Sequence, residues 1–244
     1  MTSDSNELVI DQGNTFTKLG WFSSNHLKSI ERISSEDLSN RLIEVNRNTQ
    51  LDVLISSVAN GAEGIAVILD KVKSCSVLTS STPLPIGIDY ATPETLGADR
   101  IANACGSLLY SEHSNKLVID FGTCVTYTYV EGNCMKGGAI SPGRKMRFRA
   151  LHEYTASLPL VELNANGNLL GKSTQESITS GVEIAMVREI DGMIDQFCKE
   201  FGPLSVIITG GDNSYFVSRL KSPIFADPEL TLKGLHEILH HIKK

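Results

Sequence analysis

The chain has 244 residues, 41% of them hydrophobic and 20% charged, with a formal net charge of −6 and 6% aromatic residues. That is enough apolar material for one large core or two small ones. The acidic balance argues against nucleic-acid or membrane-surface partners, both of which need basic surface. No uninterrupted apolar run approaches the roughly 20 residues that span a bilayer. The start, Met1 to Glu7, lacks the basic and apolar regions of a secretory signal. Cys75, Cys105, Cys124, Cys134 and Cys198 show no Cys-x-x-Cys spacing and read as reduced, buried thiols. The expectation is a soluble, cytoplasmic, metabolic protein.

Leu8-Val9-Ile10 reads as a short strand ending in Asp11, after which Gly13 and Asn14 force a tight turn. Phe16 to Phe22 is the returning strand of a hairpin. Leu51 to Val58 reads as a buried strand, and Gly64 to Lys73 as a helix through Ile65, Ile68, Leu69 and Val72. Cys75 to Leu78 follows as a strand, and Ser80 to Pro85 breaks the pattern. A helix is expected from Thr95 or Gly97 to Tyr110, carrying Leu96, Ile101, Ala104, Leu108 and Leu109.

The pattern then restarts. Leu117 to Thr123 repeats Leu8 to Asn14, with Asp120 standing 109 positions after Asp11. Thr126 to Val130 and Cys134 to Lys136 again read as hairpin strands. A long helix is expected over Thr174 to Glu200, with an apolar stripe through Ile178, Val182, Ile190, Ile194 and Phe197. Val206-Ile207-Ile208 is a strand leading into Thr209-Gly210-Gly211-Asp212, and a final helix begins near Leu232. A repeat of half the chain length predicts two similar α/β lobes, residues 1–113 and 114–244.

A strand that ends in Asp and turns through Gly suits Mg-ATP. The carboxylate offers hard oxygen to the metal, and the glycine lets backbone N–H groups approach phosphate. One such turn alone reads as an ordinary hairpin; two at equivalent positions favour a nucleotide. Lys18 on the return strand can reach a phosphate as a point charge. Thr209-Gly210-Gly211 suits close approach by a flat adenosine. Between the two turns, Asp99 can accept a hydroxyl proton and Arg100 can grip a carboxylate in a bidentate fork. By itself the pair also fits an acidic residue at a helix N-terminus. The basic run Arg144 to Arg149 reads as a solvated face, with a border of the phosphate entrance as the alternative.

These motifs together carry a resemblance. Asp-x-Gly-Asn-Thr-x-x-Lys at Asp11 to Lys18, Leu96 to Arg100, Asp120 to Thr123, Gly137 to Gly143, Thr155 to Pro159, Ser173 to Ile178 and Thr209 to Gly211 occur in one order. The chain resembles the type III pantothenate kinases, a bacterial family of the superfamily containing actin, sugar kinases and acetate kinase. The resemblance implies two duplicated ribonuclease H-like lobes with mixed sheets and flanking helices, with nucleotide in the cleft between them. It implies ATP-dependent phosphorylation of pantothenate in coenzyme A biosynthesis, with Asp99 as general base. It assigns ATP contacts to Asp11, Gln12, Gly13, Asn14, Thr15, Phe16, Thr17, Lys18 and Thr123, with Asp11 beside the Mg²⁺. Pantothenate contacts fall on Tyr90, Gly97, Ala98, Asp99, Arg100 and Thr174, although Thr174 could equally serve helix capping with Ser173. Asp120 corresponds to the ligand of a monovalent cation, potassium or ammonium, and relatives are homodimers. Where relatives continue the second turn towards another Asp, this chain has Cys124 and Val125. A kinase of another hydroxy-acid, or a catalytically silent nucleotide-binding protein, stays open as an alternative.

His236-Glu237-Ile238-Leu239-His240 matches the zinc-protease pattern His-Glu-x-x-His. Nothing points to a third protein ligand, so the run reads as an amphipathic helix with Leu232, Leu235, Ile238, Leu239 and Ile242 facing inward.

Overall fold

In the computed structural model, which describes residues 6–13, 16–57, 61–163 and 168–244, β1 (Glu7–Gln12) is a fully paired strand. β2 (Thr17–Ser23) runs antiparallel to it and β3 (His26–Ile33) antiparallel to β2. After α1 (Ser35–Val45), β4 (Asp52–Ser57) pairs in parallel with the other edge of β1. After α2 (Ala62–Ile68), β5 (Ser74–Val77) extends the sheet, giving the order β3-β2-β1-β4-β5. Strand alternation sends Leu8, Ile10, Leu19, Trp21, Val53 and Ile55 to one face, where Leu38, Leu42, Val45, Ile65 and Leu69 of α1 and the α2 segment cover them. Each such side chain contributes about 1.5–3 kcal/mol of burial.

α2 is shorter than the helix expected over Gly64 to Lys73, because Leu69 leaves helical geometry. The Asn46 side chain then pins the next residues, donating to Asp70 and accepting from the Lys71 amide. β6 (Gly87–Ile88) follows, and a 3₁₀ turn at Pro93–Thr95 leads into α3 (Ala98–Ser107), somewhat shorter than expected.

β7 (Lys116–Phe121) restarts the pattern. β8 (Cys124–Glu131) is antiparallel to it, and β9 (Cys134–Pro142) lies beyond β8. The first two residues of β9, Cys134 and Met135, pair in parallel with β6. α4 (Arg144–Glu153) and α5 (Thr174–Thr179) lead into a π turn at Ser180–Ile184 and then α6 (Ala185–Phe201). The long helix expected over Thr174 to Glu200 is therefore continuous but carries a π turn. β10 (Ser205–Thr209) pairs in parallel with β7, α7 (Asn213–Val217) follows, and β11 (Phe225–Ala226) pairs in parallel with β10. The order β9-β8-β7-β10-β11 is that of β3-β2-β1-β4-β5, with the same strand directions at β1 and β7. The duplication read from the two Asp-Gly turns is thus a duplication of sheet topology. Leu117, Ile119, Phe121, Tyr127, Ile190, Ile208 and Phe216 lie in the second core.

α8 (Leu230–Ile242) ends the chain. The chain divides into two compact units: one takes the chain up to Leu109 with residues 133–135 and Glu229–Lys244, the other Tyr110–Gly132 and Lys136–Pro228. No single cut, between 113 and 114 or elsewhere, yields these units, because α8 packs against α3 and β1. The helices meet backbone to backbone: a Cβ on Gly234 would collide with the Ala102 carbonyl, and one on Gly106 would stand 2.7 Å from the Leu230 carbonyl. Thr231 Oγ1 donates to Asn103 Oδ1 at 2.8 Å.

Buried charge fixes the other side of α8. Lys243 Nζ donates to Glu7 Oε1 at 2.8 Å and to Asp52 Oδ2 at 2.7 Å. His236 Nε2 donates to Glu7 Oε2 at 2.9 Å, its ring stacked on Phe22 at 4.0 Å. His236 is thereby committed to the core of its unit. Among the described residues no group of three His, Cys, Asp or Glu is placed to hold a metal ion. Nor is any described helix long and apolar enough to cross a membrane. All five cysteines are free, but only Cys105 is fully buried.

Candidate active site

The first turn is built on β1. Asp11 stands in register between Ser56 of β4 and Lys18 of β2, so the three project to one face of the sheet. That face is opposite the α1/α2 core. It also carries Val9 and Gly20, and a Cβ on Gly20 would meet Leu232 of α8 at 3.3 Å. Gln12 accepts from Ser57 Oγ at 2.8 Å and packs on Gly61, where a Cβ would meet its amide at 2.7 Å. The Gly13 amide donates to the Phe16 carbonyl at 3.2 Å, closing the turn, and Thr17 is buried. Asn14 and Thr15, expected to contact ATP, lie outside the described residues, as does Val58 of the expected strand.

Tyr90 and Gly97 to Arg100 belong to the same unit. Gly97 is the N-cap of α3, and the space a Cβ would need there is taken by Asp99 Oδ1. Asp99 sits half-buried in the first turn, its Oδ1 accepting from the Arg100 amide at 2.9 Å. Arg100 is buried, with its guanidinium 5.6 Å from the centre of the Tyr90 ring. A cavity of about 300 Å³ opens beside Gly97 and Ala98, with Ser57, Thr79, Ser80, Glu94 and Thr95 among its lining residues. One unit therefore gathers the first Asp-Gly turn, the candidate base, the candidate carboxylate fork and this cavity.

Asp120, Thr123 and Thr174 lie in the other unit. Asp120 is in register between Thr209 of β10 and Thr126 of β8. The hydroxyls of Thr126 and Thr209 are buried, and neither has a hydrogen-bond partner among the described residues; the same is true of Ser56 beside Asp11. Each strand-end aspartate thus has an orphaned hydroxyl on the parallel strand next to it. Gly210, at φ +93°, must be glycine, because its missing Cβ would strike Asp120 Oδ1. Thr123 is exposed, and its carbonyl accepts from the Gly143 amide at 3.1 Å. Thr174 is the exposed first residue of α5. Ser173 provides the cap, its Oγ accepting from the Glu176 amide at 3.2 Å, so the Thr174 hydroxyl is not used in capping.

The basic run at Arg144 departs from the expected solvated face. Arg144 is buried and donates to both carboxylate oxygens of buried Glu183, at 3.0 and 2.6 Å. Its guanidinium stacks 3.7 Å from the Tyr215 ring centre and reaches Asp212 Oδ1 at 3.6 Å. The π turn, which contains Gly181, carries Glu183. Burial pushes the Asp212 carboxyl above its ordinary range, against the pull of Arg144 and Lys145. Arg147 likewise grips Glu189 at 2.8 Å through two nitrogens, while Lys145 and Arg149 are exposed. No local pattern announces these pairs, since Glu183 is 39 residues from Arg144.

Two sheets of one topology, each with an aspartate next to the last residue of its first strand, define a duplicated mixed α/β fold. Component A of (R)-2-hydroxyglutaryl-CoA dehydratase from Acidaminococcus fermentans shares this fold, with a TM-score of 0.56, 17% identity and 97% of both chains covered. Residues 7–196 match the family model of the type III pantothenate kinases. The type III pantothenate kinase of Cytophaga hutchinsonii is 42% identical over 235 residues, covering 96% of this chain and 98% of that one. That of Christiangramia forsetii is 38% identical over 239 residues, covering 97% and 98%. The chain belongs to the type III pantothenate kinase family.

Proposed function

We propose that the chain transfers the γ-phosphate of ATP to the primary hydroxyl of pantothenate, giving 4′-phosphopantothenate for coenzyme A synthesis in the cytoplasm. The observation that carries this reading is the placement of Asp99 and Arg100 at the start of α3, in the unit that also holds the Asp11–Lys18 row. Phosphoryl transfer asks a protein mainly for alignment, charge neutralisation and an acceptor for the hydroxyl proton. Asp99 takes that proton; Arg100, steadied on Tyr90, binds the carboxylate; the amides around Gly13 and the Lys18 ammonium receive phosphate oxygens. Mg²⁺ held near Asp11 would neutralise the β- and γ-phosphates.

Asp120 is the candidate ligand for potassium or ammonium. The buried, unpartnered hydroxyls of Thr126 and Thr209 in its row fit such a cation, which takes neutral and anionic oxygens together. Thr123 is the candidate phosphate contact of the second turn, and Thr174 of the substrate. A homodimer is supported by the exposed apolar side chains of Tyr154, Leu160, Leu169 and Leu170. Light scattering at micromolar concentration tests it, with a monomeric mass counting against it.

Coupled ADP release with pantothenate, Mg²⁺ and potassium tests the activity. Asp99→Asn is expected to lower kcat by roughly 10²–10⁴-fold, the range of general-base contributions, while nucleotide still binds. Turnover independent of pantothenate, or preferring another hydroxy-acid, would overturn the substrate assignment. Nucleotide binding without any phosphorylated product would overturn the kinase reading.

A further inference from the structure

Beyond the residues assigned above, and resting on the kinase reading only for the identity of the anion, we propose that Arg32 is a further binding residue for the phosphate chain of the nucleotide. The row that begins Ser56–Asp11–Lys18 does not stop at Lys18. In the pairing of β2 with β3, Lys18 faces Arg32, so four side chains from four adjacent strands project to one face at the turn end of the sheet.

Like charges directly opposite each other on paired strands repel. The row holds two cations and one carboxylate, and among the described residues neither Lys18 nor Arg32 has a carboxylate partner. Glu31, adjacent to Arg32 in sequence, points to the opposite face and is fully engaged. It accepts from Arg41 at 2.7 and 2.8 Å and from Trp21 Nε1 at 2.7 Å. The excess positive charge is therefore not neutralised from within the sheet.

The guanidinium is also held at the turn. It lies 4.2 Å from the centre of the Phe16 ring, and Phe16 closes the turn through its carbonyl on the Gly13 amide. Stacking on a ring leaves the N–H edge of the fork free to donate in its own plane. Arg32 is exposed, so these donors are available to a ligand at the turn. An ordered guanidinium beside a lysine with no carboxylate partner among the described residues is a site for adjacent anionic oxygens such as those of a di- or triphosphate.

The test is calorimetric titration of wild type, Arg32→Met and Arg32→Lys with the Mg²⁺ complex of a non-hydrolysable ATP analogue, with Mg-ADP and with AMP. Arg32→Met is expected to weaken the triphosphate roughly tenfold, as for loss of one charge-assisted contact, weaken ADP less and leave AMP nearly unchanged. Arg32→Lys, a point charge without the fork, should recover part of the loss. An unchanged triphosphate affinity, or an equal loss for all three nucleotides, would overturn the inference. Pantothenate turnover by wild type is scored separately. If wild type binds nucleotide but leaves pantothenate untouched, the substrate reading falls and the titrations still decide the role of Arg32. If wild type binds no nucleotide, both fall.

Discussion

Lys243→Met removes the one cation shared by two buried carboxylates. In the native protein Lys243 Nζ lies 2.8 Å from Glu7 and 2.7 Å from Asp52, residues 7% and 3% exposed. Taking away one partner of a buried pair costs about 3–5 kcal/mol. Lys243 is itself one-third exposed, and Lys73 and His236 remain to hold Asp52 and Glu7. The expected cost is therefore nearer 2–3 kcal/mol, a fall of roughly 4–12 °C in apparent melting temperature for a chain of this length. The pH dependence sharpens the test. Burial alone would raise the Asp52 carboxyl, but hydrogen bonds from Lys243, Ser74 and Lys73 outweigh it and bring it down to about 2. Glu7 is likewise opposed by burial and lowered by Lys243 and His236. Folded values below unfolded ones mean that the unfolded chain binds more protons, so this stability is complete above about pH 4.5 and is lost as pH falls towards 2. In Lys243→Met the carboxylates can instead be protonated in the folded state. The gap to wild type should be widest at pH 7 and should narrow below pH 4. Circular-dichroism melts at pH 7, 5 and 3.5 measure it. Equal melting at pH 7, or a gap that ignores pH, would refute the reasoning.

Two further substitutions probe the site and its support. Thr209→Val deletes a buried hydroxyl without a partner, so the ligand-free protein should melt no lower than wild type. If Asp120 holds a monovalent cation as proposed, the potassium concentration for half-maximal activity should rise severalfold, and an unchanged cation dependence would remove Thr209 from that proposed site. Gly234→Ala gains about 1 kcal/mol of helix propensity, yet its Cβ falls on the Ala102 carbonyl. A net loss of about 2 kcal/mol in thermal unfolding is expected. The KM for pantothenate should rise, because α3 carries Asp99 and Arg100; a melting temperature above wild type would show that the helices separate freely.

The strand-turn-strand units at Asp11 and Asp120 were legible because β-branched runs and glycine turns are local signals. β3 was not: its residues His26 to Ile33 are mostly exposed and polar, as suits an edge strand, and lack alternation. α1 escaped although Ser34 caps it and Leu38, Leu42 and Val45 form its buried stripe. At the site, Asp99, Arg100 and the first turn could be named from their motifs. Ser56, Thr126 and Thr209 could not, because strand residues become neighbours of Asp11 and Asp120 only through register. The burial of Arg144 is hidden from the sequence for a related reason: a basic helical run looks solvated until the partner carboxylate is brought from a distant turn.

The union of α8 with β1 also bears on how the chain acquires its structure. Glu7 and His236 are separated by 229 positions, so the first unit cannot close its ionic core until residues 230–242 have left the ribosome. Until then β1, β4 and α3 present an unfinished surface while the intervening second unit is already able to form. Contacts of such long sequence separation are slow to make. Maturation of this enzyme should therefore be limited by the arrival of α8, and chaperone demand should concentrate on the sheet that carries Asp11.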